Sequence, residues 1–252
     1  LFDRQGSRIS LTESGNLLLE HCERILEDYK RLEYEMHLLH NEYTGGLKLG
    51  ASTTIAQYVL PPLLASFIGK FPQVSLSLLN GNSREIEAAL QEHRIDLGFV
   101  EGVFRLPNIR YTTFLEDELV AVVRTGSKLA VGEEITPDEL FHLPLVLRER
   151  GSGTLDVFER ALQQHNIKLS SLQVLMYLGS TESIKLFLEH TDCLGIVSVR
   201  SITRELYSGQ LRVVEIKGMP MLRDFSFAQP QGQESGLAQV FMQFAMHNNH
   251  KL

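Results

Sequence analysis

The stretch Leu47-Lys48-Leu49-Gly50-Ala51-Ser52-Thr53-Thr54-Ile55-Ala56-Gln57-Tyr58-Val59-Leu60-Pro61 passes from a short apolar run, through three hydroxylated residues, into apolar residues at helical spacing. Residues 47–51 read as a buried strand and 55–70 as a helix, with Ser52-Thr53-Thr54 turning between them. The unit recurs along the chain. Apolar runs at 74–79, 97–100, 119–123, 143–147, 174–178, 194–199 and 211–216 read as further strands, and 83–93, 154–165, 182–190 and 202–207 as further helices. Such alternation implies an α/β fold with a largely parallel sheet.

The residues just beyond each strand are informative about chemistry. Asn80-Gly81-Asn82-Ser83 comes after the second run, Glu101-Gly102 after the third, Arg148 through Thr154 after the run at 143–147, and Ser180-Thr181-Glu182-Ser183 after the run at 174–178. In an open parallel sheet, ligands lie beyond the carboxyl ends of the strands, where helix N-termini present unpaired N–H groups and partial positive charge. Ser52, Thr53, Thr54, Asn80, Asn82, Glu101, Arg148, Ser152, Ser180 and Thr181 are therefore the candidate lining of a polar pocket. Singly, each hydroxyl or amide has the plainer reading of a helix N-cap; the series is what points to a pocket. Arg148 and Arg150 are candidates to pair with an anion, or else surface charges, and Glu101 would oppose a second negative group nearby. Gly151-Ser152-Gly153 is not followed by Gly-Lys-Ser/Thr, so it is no Walker loop.

Upstream, Ser10-Leu11-Thr12-Glu13 reads as a capping box that starts a helix at residue 11 or 12. Leu18, Cys22, Ile25, Tyr29, Leu32, Met36, Leu39 and Tyr43 then come at alternating spacings of 4 and 3. A 3.5-residue period buries its stripe against a long partner, and the same helix of a second copy fits, with Leu18, Ile25, Leu32, Met36 and Leu39 as its best core residues. The alternative is an amphipathic helix lying on its own domain. His37 and His40 sit at i, i+3 without a third ligand nearby, and no metal site or cofactor is expected. Gly45-Gly46 stops the helix.

Composition narrows the class. At 252 residues and 43% hydrophobic, the chain has the side chains for one large or two ordinary domains. Lys and Arg number 24 against 31 Asp and Glu, a formal charge of −7, so no positive excess awaits nucleic acid. Cys22 and Cys193 lie far apart, which fits a reducing compartment, and no apolar run approaches membrane-spanning length, so a cytoplasmic address without membrane contact is expected. Neither a Gly-x-Ser-x-Gly elbow, a His-Glu-x-x-His helix nor a dinucleotide glycine motif occurs, and the chain is not expected to be an enzyme. It begins at Leu1 without Met, as the later part of a longer protein would.

Three segments together resemble the LysR-type transcriptional regulators. They are Leu1-Phe2-Asp3-Arg4 through Leu11-Thr12-Glu13-Ser14-Gly15, the stretch Gly50 to Pro61 with Phe67 and Phe71-Pro72, and Gly179-Ser180-Thr181-Glu182-Ser183-Ile184-Lys185 leading to Leu194-Gly195-Ile196-Val197-Ser198. The resemblance covers essentially the whole chain. It implies two Rossmann-like lobes resembling a periplasmic binding protein, hinged by two crossing strands and preceded by a long dimerising helix. Residues 1–45 would be the remnant of a wing plus the linker helix, 46–118 and 224–252 lobe I, and 119–223 lobe II. It further implies a small-molecule effector in the cleft, with Ser198 added to the candidate lining, and a homodimer or homotetramer. DNA would be met only through the helix-turn-helix expected before Leu1, with Arg4 and Arg8 as remnants that touch the DNA backbone. Ser52-Thr53-Thr54 and Arg148-x-x-Gly151-Ser152-Gly153-Thr154 look most like the branch controlling sulfur assimilation and carbon fixation, whose effectors are small anions or phosphorylated metabolites. The peroxide-sensing branch needs two close cysteines, and Cys193 stands alone. A transport-type solute-binding protein with the same lobes is the alternative.

Overall fold

The computed structural model describes residues 1–5, 8–40, 43–103, 105–129, 132–232 and 236–248, and it falls into two compact units, Leu1–Thr44 and Gly45–Leu252. In the first, β1 (Phe2–Gln5) and β2 (Arg8–Leu11) pair antiparallel with Asp3 opposite Ser10, and α1 runs Glu13–His40. Ser10 therefore lies inside a strand and does not cap the helix as expected. The cap is Thr12, whose Oγ1 accepts from the Gly15 N–H at 3.1 Å and whose carbonyl accepts from Asn16 at 2.9 Å. Leu18, Ile25, Leu32 and Met36 are 47%, 65%, 55% and 50% exposed, and Cys22 is exposed beside them. Arg4 is exposed too, whereas the side chains of Arg8, His37, Leu39 and His40 lie outside the described residues.

The second unit runs β3 (Gly45–Ser52), α2 (Thr53–Tyr58), α3 (Leu60–Lys70), β4 (Val74–Gly81), α4 (Ser83–Gln91), β5 (Leu97–Glu101), β6 (Ile109–Arg124), β7 (Glu134–Ile135), β8 (Pro144–Arg148), α5 (Gly153–Gln164), β9 (Gln173–Leu178), α6 (Thr181–His190), β10 (Leu194–Ser198), α7 (Thr203–Tyr207), β11 (Leu211–Ile216), β12 (Leu222–Pro230) and α8 (Gly236–Asn248). Strand order is β4-β3-β5-β12-β6-β10-β8-β9, with β11 beside β6 and β7 beside β11. β3 is parallel to β4 and β5, and β8 is parallel to β9 and β10. These trios are the centres of two Rossmann-like lobes. Between them, β6 pairs with β12 as far as Glu118, then with β10 from Leu119 and with β11 from Ala121. One long strand thus serves both lobes, and β12 returns beside it.

All eight expected strands are present, although β6 pairs antiparallel with both β10 and β11. β5, β8 and β10 are apolar along their length because both faces are covered, whereas β4 and β9 are apolar runs that stay largely exposed. Expected helix 55–70 is two helices meeting at Val59, since Pro61 and Pro62 bring no N–H and fit the first turn of a new helix. In the first lobe, Phe67 packs on Phe71, Phe241 and Phe244 at centroid distances of 4.6, 4.8 and 5.2 Å, fastening α3 to α8. The second lobe buries Leu145, Leu147, Phe158, Leu162, Leu194 and Ile196 at 1% exposure or less. Each such side chain stabilises the fold by about 1.5–3 kcal/mol on area grounds. Among the described residues, no helix is long and apolar enough to cross a membrane.

Candidate functional site

The strand ends of both lobes converge on one cavity of about 280 Å³. Of the residues expected there, Thr53, Asn80, Asn82 and Ser180 line it, joined by the unexpected Gln57, Glu85 and Glu149. Behind its wall lies Arg148, the last residue of β8, 1% exposed. Its Nη2 donates to Thr53 Oγ1 at 3.3 Å in the first lobe, and its Nη1 donates to Thr181 Oγ1 at 3.5 Å in the second. Nη2 also reaches the Gly179 carbonyl at 3.4 Å. Glu149 closes the guanidinium's fourth side, accepting from Nε at 2.8 Å and Nη2 at 3.0 Å.

Several candidate hydroxyls have local duties. Thr53 Oγ1 also donates to the Gly81 carbonyl at 3.2 Å, tying β4 to the start of α2. The Asn82 side chain accepts from the Glu85 N–H at 3.0 Å while Glu85 accepts from Asn82 N at 2.8 Å, a capping box. Ser180 caps α6 through the Ser183 N–H at 3.1 Å, and Ser152 caps α5 through Leu155 N at 3.2 Å. Ser180 caps and still faces the cavity; Ser152 is spent on its cap and does not. Thr54 is fully buried with its hydroxyl unpartnered. Arg150, exposed, has no described partner.

A second polar cluster sits at the crossing strands. Ser52 Oγ donates to Glu101, whose backbone carbonyl accepts from Ser83 Oγ at 2.8 Å. Arg223, on β12, lies 3.4 Å from Glu101, donates from Nε to Asp117 at 2.7 Å and from Nη1 to Thr154 at 3.0 Å. Asp117 also accepts from Ser198 Oγ at 2.7 Å, with the Arg200 guanidinium 3.6 Å away. So Ser52, Glu101 and Ser198 belong to this hinge cluster and not to the cavity wall. The lobes meet closely beside it: a Cβ on Gly153 would lie 2.3 Å from the Glu101 carbonyl oxygen, which only glycine permits.

A third contact spans the lobes at the surface. Tyr58, ending α2, hydrogen-bonds Glu182 on α6, and Lys185 lies 2.7 Å from Glu182 and 2.8 Å from Glu205. Burial, and then the Glu182 partner, raises the Tyr58 phenol well above its ordinary range. Burial also pulls the Glu182 carboxyl upward, but hydrogen bonds from Lys185 and Tyr58 outweigh it and hold the group below its ordinary value. Buried Cys193 has its thiol pushed up to about 11, by desolvation and then by Asp192. Among the described residues, no group of His, Cys, Asp and Glu is placed to hold a metal.

Comparison with known proteins accounts for this arrangement. A family model described as the LysR substrate binding domain matches residues 40–249. The uncharacterized HTH-type transcriptional regulator YeiE of Escherichia coli (strain K12) is 35% identical over 216 residues, 86% of this chain and 71% of that protein. The RuBisCO operon transcriptional regulator of Acidithiobacillus ferrooxidans is 29% identical over 245 residues, 97% of this chain and 78% of that protein. Among solved structures, the CcmR regulatory domain of Synechocystis in complex with 2-PG matches with a TM-score of 0.73 at 28% identity, over 81% of this chain and 97% of that one. The match takes in both lobes, the strands that cross between them and the cavity at their strand ends, and the chain accordingly belongs to the LysR-type transcriptional regulators and carries their substrate-binding domain.

Proposed function

We propose that the cavity between the lobes binds a small anionic effector, and that occupancy changes how the full-length oligomer holds DNA. The observation that carries this reading is Arg148: a buried guanidinium whose donors meet Thr53 of one lobe and Thr181 of the other. A buried cation at a lobe junction beside a cavity, whose charged partner Glu149 has a side chain 26% exposed, suits an anion that both lobes enclose. The 2-PG bound by the similar CcmR domain supports the same class of ligand. Thr53, Asn80, Asn82, Ser180 and Thr181 would supply polar contacts, and the N-terminus of the ten-residue α6 the field. A ligand gripped by both lobes favours their closed arrangement, which is how binding can bias the rest of the molecule.

The lobes are assigned as 46–118 with 224–252, and 119–223. The site works by binding and release without turnover, in the cytoplasm; DNA is read by the helix-turn-helix part of the regulator, and membership of the regulator family removes the case for a transport protein. The exposed stripe Leu18, Ile25, Leu32 and Met36 supports pairing of α1 with its copy in a dimer. Leu32→Asp would place an uncompensated charge in that seam and should yield a smaller species in sedimentation; equal assembly of variant and wild type would refute the seam.

The cleft is tested by calorimetry with sulfur oxyanions, phosphorylated sugars and small carboxylates. Thr53→Val with Thr181→Val keeps the volume but removes both hydroxyls that accept from Arg148, one in each lobe. The double variant should stay folded by circular dichroism and lose about 1–3 kcal/mol of ligand binding per site. Undiminished affinity would place the effector elsewhere.

A further inference from the structure

The guanidinium on which the cleft reading turns is already occupied. Glu149 takes Nε and Nη2 of Arg148 at 2.8 and 3.0 Å, two parallel charge-assisted bonds of the kind a bound carboxylate or phosphate would make. Nη1 and the rest of Nη2 go to Thr181, Thr53 and the Gly179 carbonyl. Every nitrogen of Arg148 therefore has a partner in the protein, and an anion entering the cavity meets a neutralised cation. The cavity wall itself is acidic, since Glu85 and Glu149 line it and, among the described residues, no Lys or Arg does.

We infer, resting on the effector-binding cleft, that Glu149 is a built-in competitor for the effector: an oxyanion gains Arg148 only by displacing the Glu149 carboxylate, so this side chain sets the affinity and the oxyanion selectivity of the site.

Three features separate this pair from a purely structural one. First, its two members are unequally buried: the Arg148 side chain is 1% exposed and that of Glu149 is 26% exposed. A released Glu149 has water within reach, so turning it away costs far less than stranding a fully buried carboxylate. Second, Glu149 lies just beyond the last residue of β8, on the turn that reaches Gly151 at φ +93. Its backbone is held by the bond from its N–H to the Leu178 carbonyl at 3.2 Å, so its side chain can change rotamer without moving Arg148. Third, it borders the cavity, so the space into which an effector comes is the space its carboxylate faces. Glu85, the other acidic lining residue, is different in kind, being fixed by the capping box with Asn82.

Displacement also filters ligands by shape. Two bonds to two guanidinium nitrogens are lost when Glu149 leaves, and an ion offering two oxygens at carboxylate-like spacing replaces both. Chloride offers one acceptor and cannot. Sulfate, phosphate, phosphate esters and carboxylates pass this filter; a bare halide does not.

The test titrates the chain and its Glu149→Gln variant with sulfate, inorganic phosphate and chloride in a calorimeter, with thermal melts to compare folding. Glu149→Gln keeps the shape and removes the competing charge, and should bind both oxyanions about tenfold tighter or more than wild type, with a smaller gain for chloride, which offers one acceptor. Equal or weaker oxyanion binding by the variant overturns the inference, as does an absence of binding to both proteins at millimolar sulfate and phosphate. A Thr181→Val arm separates the two claims. If it leaves oxyanion binding untouched, the cleft reading falls; if it weakens binding while Glu149→Gln fails to strengthen it, the cleft stands and Glu149 is only a structural partner. Should Glu149→Gln melt early, Glu149→Asp, with its shorter reach to Arg148, must tighten oxyanion binding in the same direction by a smaller factor, and failure to do so refutes the competitor role.

Discussion

Arg148 and Arg223 have side chains that are each 1% exposed, and each reaches from one lobe to the other, yet the groups around them differ in kind. Arg223 is held by Asp117 and Glu101, whose side chains are 0% and 1% exposed and are carried by sheet strands. Arg148 is held by hydroxyls, a carbonyl and a carboxylate on a turn that borders a cavity. Neither carboxylate of Arg223 can leave without stranding a charge, whereas the charged partner of Arg148 can turn to water. The hinge pair is therefore an anchor and the cleft pair an exchangeable contact, although burial of the cation is the same in both. What decides the role of a buried charge is where its counter-charge can go.

Replacing each arginine by Met, which fills similar volume without charge, is the most direct way to break that contrast. Arg223→Met leaves Asp117 and Glu101 buried with their main cation gone, and should cost about 3–5 kcal/mol of unfolding free energy in urea titrations. Arg148→Met strands no buried charge, since Glu149 has access to solvent, and takes a donor only from neutral acceptors such as Thr181 Oγ1 and the Gly179 carbonyl, so the loss should be about 1–2 kcal/mol, while oxyanion binding falls below detection. Equal destabilisation by the two variants, or oxyanion binding that survives Arg148→Met, would show the distinction to be false.

The same contrast explains how far the amino-acid order is legible. The parallel strands and their helices can be read because strands covered on both faces are unbroken apolar runs, as in Leu97-Gly98-Phe99-Val100 and Leu194-Gly195-Ile196-Val197. The crossing strands are half hidden. Only 119–123 of β6 stands out and β12 does not, because Glu116, Asp117, Glu118, Arg223 and Asp224 look like surface charges until Asp117 and Arg223 are seen to neutralise one another inside the sheet. Of the site, the strand-end hydroxyls and Arg148 are visible as a series. Glu149 escapes notice although it stands inside the Arg148 to Thr154 segment, since neighbouring residues in a strand face opposite ways and an i, i+1 ion pair forms only where the strand stops. Ser52, Glu101 and Ser198 group with the cavity on sequence alone, because sequence shows which strand end a residue succeeds, and not on which side of that end its side chain bonds.

The contact between Tyr58 and Glu182 extends the series from buried to exposed counter-charges and should show the smallest effect. Glu182 is 48% exposed on its side chain, so solvent screens its pairing with Lys185 and its bond from Tyr58; the contribution should stay under about 1 kcal/mol. Its sign with pH is fixed by the direction of the shift. The folded-state carboxyl titrates below its ordinary 4.5, so ionised Glu182 stabilises the fold at neutral pH. That contribution is complete above the unfolded value and is lost as pH falls through the lower, folded one. Tyr58→Phe removes the phenol donor without changing charge and moves the Glu182 carboxyl back toward its ordinary value. Urea titrations of wild type and Tyr58→Phe at several pH values should show a small stability gap near neutrality that closes in strongly acidic solution. A gap of unchanged size there would mean that Tyr58 acts through ring packing alone, its ring lying 5.3 Å from the Lys185 ammonium, and that the hydrogen bond contributes nothing to holding the lobes together.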